Sequence, residues 1–132
     1  MSDNRCLFCA PEHTILSNEL VFARYDDFPV SEGHMLLIPH RHVANYFEMT
    51  PEEKEAMWSL LDEAKGLLDR EKQPDGYNIG VNCGPVAGQS VMHAHLHLIP
   101  RYPGDVTDPR GGVRAVIPAK QRYHDQLKAG TP

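Results

Sequence analysis

Between Gln89 and Pro100 the chain runs Gln-Ser-Val-Met-His-Ala-His-Leu-His-Leu-Ile-Pro. Histidines at 93, 95 and 97 alternate with Ala94, Leu96 and Leu98, the period of a strand with one apolar face. A helix would scatter the three rings around its axis. Strand geometry sets them about 6–7 Å apart on one face. Imidazole, with an ordinary pKa of about 6.5, is largely unprotonated near neutrality and is a competent nucleophile without a strong base. Its attack on a phosphorus centre gives a phosphoramidate-type N–P bond that water can cleave. Such a nucleophile needs one defined tautomer, one ring nitrogen free and the other held by an acceptor. Charge on the phosphate oxygens calls for donors aimed at the reacting centre, and Gln89, Ser90 and the amides of residues 84–90 are close in sequence. Just upstream, Gly84-Pro85-Val86-Ala87-Gly88 is a loop whose glycines let a ligand approach the main chain. A single strand histidine is usually a satisfied polar residue, but three in alternation beside such a loop rarely are.

A second set of residues has metal-ligand chemistry. Cys6-Leu7-Phe8-Cys9 has the spacing of half a zinc site and needs two ligands from elsewhere. Six of the eight histidines fall in two clusters, His34, His40, His42 and His93, His95, His97, and either cluster can complete it. Cysteine pairs at this spacing also serve redox chemistry, but no other thioredoxin-like feature is present. Cys83 has no assigned chemistry.

The segment His-Ala-His-Leu-His-Leu-Ile, preceded by Gln89-Ser90, resembles the His-φ-His-φ-His-φ-φ signature (φ apolar) of the histidine triad family of nucleotide hydrolases and transferases. The resemblance covers roughly residues 5–102 and is strongest to the small bacterial-type branch that opens with Cys-x-x-Cys. It implies that His95 is the nucleophile that becomes nucleotidylated, supported by His97 and by His34 of Gly-His-Met-Leu-Leu-Ile-Pro. It matches Asp26, eight positions before His34, to the acidic residue on the ribose hydroxyls, and Asn82, Gln89 and Ser90 to polar residues around ribose and phosphates. It implies a structural zinc on Cys6, Cys9, His42 and His93, with His42 supplied by Pro39-His40-Arg41-His42 and His40 a rival ligand. The expected substrate is a purine nucleotide or dinucleotide, and the expected assembly a homodimer.

Composition bounds these readings. The 132 residues, 41% hydrophobic and 23% charged, suit a soluble globular protein. Apolar runs such as Met35-Leu36-Leu37-Ile38 are too short to span a membrane. Nothing behind Met1-Ser2-Asp3-Asn4-Arg5 resembles a secretory signal, so a cytoplasmic protein is expected. A net charge of −5 argues against a stable nucleic-acid complex.

The positioning elements follow from pattern. Residues 20–25, 34–39 and 77–82 read as strands beside the histidine strand. Thr50-Pro51-Glu52-Glu53 opens a helix, with Thr as N-cap, Pro at the first position and Glu three after the cap. Met57, Leu60, Leu61, Ala64, Leu67 and Leu68 continue it as one apolar face to about residue 70. With these elements the resemblance implies an α+β fold class, an antiparallel five-stranded sheet with this one long helix packed on it. Residues 1–118 form the nucleotide-binding domain and 119–132 a tail, with a short helix over 118–128. Arg101, Arg110 and Arg114 near the end admit two readings, a solvated loop or a phosphate clamp.

Two other functions compete with the covalent enzyme. One is a nucleotide-binding sensor or partner protein with little turnover. The other is a hydrolase in which His93, His95 and His97 together ligate a catalytic zinc.

Overall fold

The computed structural model describes residues 6–10 and 12–123, and the chain divides into two units between Arg101 and Tyr102. The first unit contains β1 (Leu16–Ser17), β2 (Val21–Tyr25), β3 (Met35–Pro39), α1 (Pro51–Glu71), β4 (Gly76–Val81) and β5 (Leu96–Arg101). The strands form one antiparallel five-stranded sheet in the order β1-β2-β3-β5-β4, the α+β architecture expected from the resemblance, with four of its strands legible in the pattern. β1, two residues long, is too short to leave a periodic signal. Asn18 makes it possible: its side-chain oxygen accepts from the amides of Leu20 and Val21 and closes the turn into β2.

α1 starts where its cap demands. Thr50 Oγ1 accepts from the Glu53 amide at 3.0 Å and Glu53 Oε1 accepts from the Thr50 amide at 2.9 Å, so two otherwise unpaired donors are satisfied reciprocally. Its far end closes on Leu68, whose carbonyl accepts from Lys72 and from Gln73, the latter in the left-handed region. Met57, Leu60, Leu61, Ala64 and Leu68 bury against Val21, Ala23, Met35, Leu37, Leu96 and Leu98. Each fully buried large side chain contributes about 1.5–3 kcal/mol. The opposite sheet face carries the chemistry: Arg24, Leu36 and His97 lie in one cross-strand row. Beside it Phe22, Leu36, Ile38 and Phe8 form a second apolar cluster.

The histidine segment departs from a regular strand. The β5 ladder begins at Leu96, with His93 in a bend before it. The Ala94 amide bonds to the Val43 carbonyl at 2.8 Å, outside the β3 ladder. Alternation alone does not register this, because the segment stays apolar-spaced while its backbone leaves the sheet. As a result His93 and His97 serve different neighbourhoods.

In the second unit, short 3-10 turns span Gly112–Val116 and Pro118–Lys120. Of the helix expected over 118–128, the described part is only this second turn, and the rest lies outside the described residues. Arg110 forks onto Asp108 at 3.0 and 2.9 Å. Arg114 donates to the carbonyls of Lys120 and Gln121 and lies 5.0 Å over the Tyr123 ring. In the first unit Arg101 donates to Asn78 at 2.6 Å. Among the described residues, no helix is long and apolar enough to cross a membrane.

Candidate active site and metal centre

Four donor atoms from three separate parts of the chain converge. The sulfurs of Cys6 and Cys9 and one ring nitrogen each of His42 and His93 all lie within 4.8 Å of one another. Cys6 Sγ is 3.3 Å and Cys9 Sγ 3.6 Å from His93 Nδ1, and Cys9 Sγ is 3.1 Å from His42 Nδ1. Tetrahedral zinc, with bonds of about 2.3 Å to sulfur and about 2.0 Å to nitrogen, has ligand–ligand edges of about 3.3–3.8 Å. The ring state agrees. His93 Nε2 donates to the Pro39 carbonyl at 2.8 Å, which puts its proton there and turns the Nδ1 lone pair toward the sulfurs. Burial also holds the His93 imidazole below its ordinary pKa, against the Pro39 carbonyl, and so keeps it neutral. The residues present therefore fit a closed tetrahedral metal site.

The residue before His42 is tied to α1. Arg41 forks onto Glu53 at 3.0 and 2.8 Å, the same carboxylate that caps α1. The Arg41 fork, first among its causes, holds the Glu53 carboxyl below its usual range. His40 points elsewhere: it stacks on Phe22 at 5.3 Å and its Nε2 donates to the Asn18 carbonyl at 3.2 Å. Of the two rival histidines, only His42 joins the cysteines.

His95 is buried beside this cluster. Its Nδ1 donates to the His93 carbonyl at 2.8 Å, which fixes the proton on Nδ1 and leaves the Nε2 lone pair available. Burial lowers its pKa, so the ring is neutral at neutral pH. Phe8 meets the His95 ring edge-on at 4.9 Å, and the His97 ring meets it at 5.1 Å.

His97 belongs to a second group with Asp26 and His34. Here the hydrogen bonds run in one direction. The Val30 amide donates to His34 Nδ1 at 3.1 Å, and His34 Nε2 lies 2.9 Å from His97 Nδ1 and 3.5 Å from Asp26 Oδ2. The Val30 amide takes up the His34 Nδ1 lone pair, so this trio is a poorer metal cluster than the cysteine group. His97 is pushed down to about 4, first by burial and then by His95 and His34. His34 is lowered by burial, against the opposing pull of Asp26. The imidazoles of 93, 95 and 97 therefore do not close on one metal, since His93 faces the cysteines and His97 faces His34.

Asp26 is anchored on one side only. Its Oδ1 accepts from the Phe28 amide at 2.9 Å while Oδ2 faces His34. Gln89 is buried with its amide fully used: Oε1 accepts from the Gly84 amide at 2.8 Å, and Nε2 donates to the carbonyls of Ala44 at 2.6 Å and Val91 at 3.0 Å. It braces the glycine loop, whose Gly84 and Gly88 both take positive φ. Ser90, by contrast, is exposed, and neither its amide nor its hydroxyl has a hydrogen-bond partner among the described residues. The Asn82 side chain is also without one among them, and lies in the glycine loop against Gly88.

Two contributors are not visible in residue types. Phe8 reads as a spacer between cysteines, yet it is buried on the His95 ring. The Val30 amide belongs to an exposed side chain and carries no sequence signal at all.

Comparison with known proteins agrees with this geometry. The HIT domain model matches residues 8–104. An uncharacterized HIT-like protein of Mycoplasma pneumoniae is 39% identical over 108 residues, covering 77% of this chain and 75% of that protein. An AP-4-A phosphorylase of Mycobacterium tuberculosis is 30% identical over 92 residues, covering 69% of this chain and 47% of that one. The crystal structure of a zinc-bound histidine triad family protein from Mycobacterium smegmatis superposes with a TM-score of 0.71 at 29% identity, covering 94% of this chain and 98% of that one. A family match over well above half the chain, spanning both the sheet and the alternating histidines, places it: the chain belongs to the histidine triad (HIT) family.

Proposed function

We propose that this protein hydrolyses or transfers at the α-phosphate of nucleotidyl substrates, such as nucleoside phosphoramidates or dinucleoside polyphosphates, through a covalent nucleotidyl-histidine on His95. The observation that carries this reading is the His95 Nδ1–His93 carbonyl bond of 2.8 Å, which leaves a neutral, buried ring with its Nε2 lone pair free. Nε2 attacks the α-phosphorus. The N–P bond forms as the bond to the leaving group breaks, and the electron pair departs with that group. His97, with its Nδ1 occupied by His34, presents Nε2–H to the phosphoryl or leaving oxygen. Water then cleaves the N–P bond and restores the ring. The AP-4-A phosphorylase relative supports a purine dinucleotide as one substrate class.

In this reading Asp26 takes the ribose hydroxyls, and Ser90 and Asn82 supply polar contacts around ribose and phosphate. Gln89 acts one step back, by shaping the loop. Cys6, Cys9, His42 and His93 hold a structural zinc, which pins the amino-terminal segment beside the site. The outer edge of β4, the last strand of the sheet, supports a homodimer formed by pairing there.

Assay of purified protein against adenosine phosphoramidate, dinucleoside polyphosphates and nucleotide sugars tests the activity. Turnover with a burst of leaving-group release supports it. Tight binding of AMP with no turnover on any of them favours the nucleotide-binding sensor instead.

A further inference from the structure

We infer that the main-chain N–H of Val30 sets the direction of the His34–His97 hydrogen bond and thereby makes His97 a donor at Nε2. A pair of neutral imidazoles sharing one proton can run either way. In one direction His34 Nε2–H donates to His97 Nδ1. In the other, His97 Nδ1–H donates to His34 Nε2, and His97 then faces the site with a bare lone pair. A backbone amide can only donate, and Val30 N lies 3.1 Å from His34 Nδ1. That nitrogen must offer its lone pair, so a neutral His34 carries its proton on Nε2. The other neighbours of Nε2, His97 Nδ1 at 2.9 Å and Asp26 Oδ2 at 3.5 Å, are both able to accept. The direction is thus dictated from the loop inward, and the His97 proton is left on Nε2.

The loop is built to keep that amide still. Ser31 Oγ donates to the Pro100 carbonyl at 2.6 Å, tying the turn to the end of β5. The His34 amide bonds the Ser31 carbonyl at 3.2 Å, and the Asp26 amide bonds the His34 carbonyl at 2.9 Å. Gly33 has φ +92°, and a Cβ there would sit 3.0 Å from Leu68 Cδ2, so a larger residue would be strained in this turn and press on Leu68. The Val30 side chain itself is 70% exposed. What matters at this position is the backbone. Val30 is a positioning residue that acts on the substrate only through two histidines, and its catalytic consequence rests on the covalent mechanism proposed above.

The test replaces Val30 by its α-hydroxy analogue in the full chain, an amide-to-ester change that deletes the N–H and keeps the side chain. Imidazole ¹⁵N shifts report the tautomers directly and need no substrate. In the unaltered protein, His34 and His97 are expected to be protonated at Nε2. In the ester variant, His97 acquires a population protonated at Nδ1, and kcat on a nucleoside phosphoramidate falls about tenfold, one lost hydrogen bond's worth, with KM little changed. Val30→Ala, which keeps the amide, leaves tautomers and kcat as they were. Val30→Pro, a second way to remove the N–H, reproduces the ester. A His97 protonated at Nδ1 in the unaltered protein overturns the inference even if no variant folds, and so do unchanged tautomers in the ester variant. If the tautomers behave as stated while no substrate turns over, the hydrogen-bond direction stands and the proposed activity is what fails.

Discussion

The carbonyl of His93 accepts from His95 Nδ1 at 2.8 Å, while the ring of the same His93 turns away to the two cysteines. One residue therefore joins the metal cluster to the proposed nucleophile, ring on one side and carbonyl on the other. Anything that loosens the His93 ring also loosens the acceptor that selects the His95 tautomer.

Metal content follows from the four converging donors. Protein purified without chelators is expected to carry about one zinc per chain. Cobalt substitution should give the intense sulfur-to-metal charge-transfer bands of a thiolate site, halved or lost in Cys6→Ala and Cys9→Ala. Chelation should lower the thermal midpoint, because metal binding to such a cluster is folding free energy. A chain that folds with the same midpoint and no metal contradicts this.

Glu53 serves both the helix cap and Arg41, which flanks His42. Glu53→Ala should cost about 2 kcal/mol or more, since it removes a cap and a charged hydrogen-bond pair together. It should also weaken metal retention, as His42 loses its tether. Urea unfolding with zinc buffered measures the first effect and competition with a chromophoric chelator the second. Loss of stability with metal affinity intact would show that His42 does not depend on Arg41.

Acid sensitivity has a definite sign. In the unfolded chain histidine titrates near 6.5, whereas His97 in the folded protein is pushed down to about 4 and His34 is also lowered. As pH falls below about 6.5, the unfolded chain takes up protons that the folded one refuses. Stability is complete above that value and declines from there toward pH 4. His97→Gln should flatten this decline relative to the unaltered protein. An equal slope in both would remove His97 from the account.

Much of this site was legible in residue types. The alternating histidines, the cysteine spacing and the Thr50–Glu53 cap are chemical statements that survive folding. Other parts were not. The position of Leu96 as the first residue of the β5 ladder depends on Ala94 bonding to Val43, a tertiary contact without a local pattern. Gln89 looks like a phosphate ligand by type, and only its three partners reveal a brace. Phe8 and the Val30 amide act through place alone.

The two histidines proposed to act on substrate should separate under mutation. His95→Asn should fold and still bind AMP while losing turnover by about 10²–10⁴-fold, the range for removing a positioned catalytic group. His97→Ala should slow turnover through the lost donor and leave some adduct on His95. Similar losses of AMP affinity in both would point to binding instead of chemistry.

The most direct test is rapid quench of the protein with an adenosine phosphoramidate, followed by peptide mapping and ³¹P detection of the N–P bond. The account predicts one AMP on Nε2 of His95, formed and lost at rates consistent with turnover. An adduct on His93 or His97, or full turnover by His95→Asn, would contradict it.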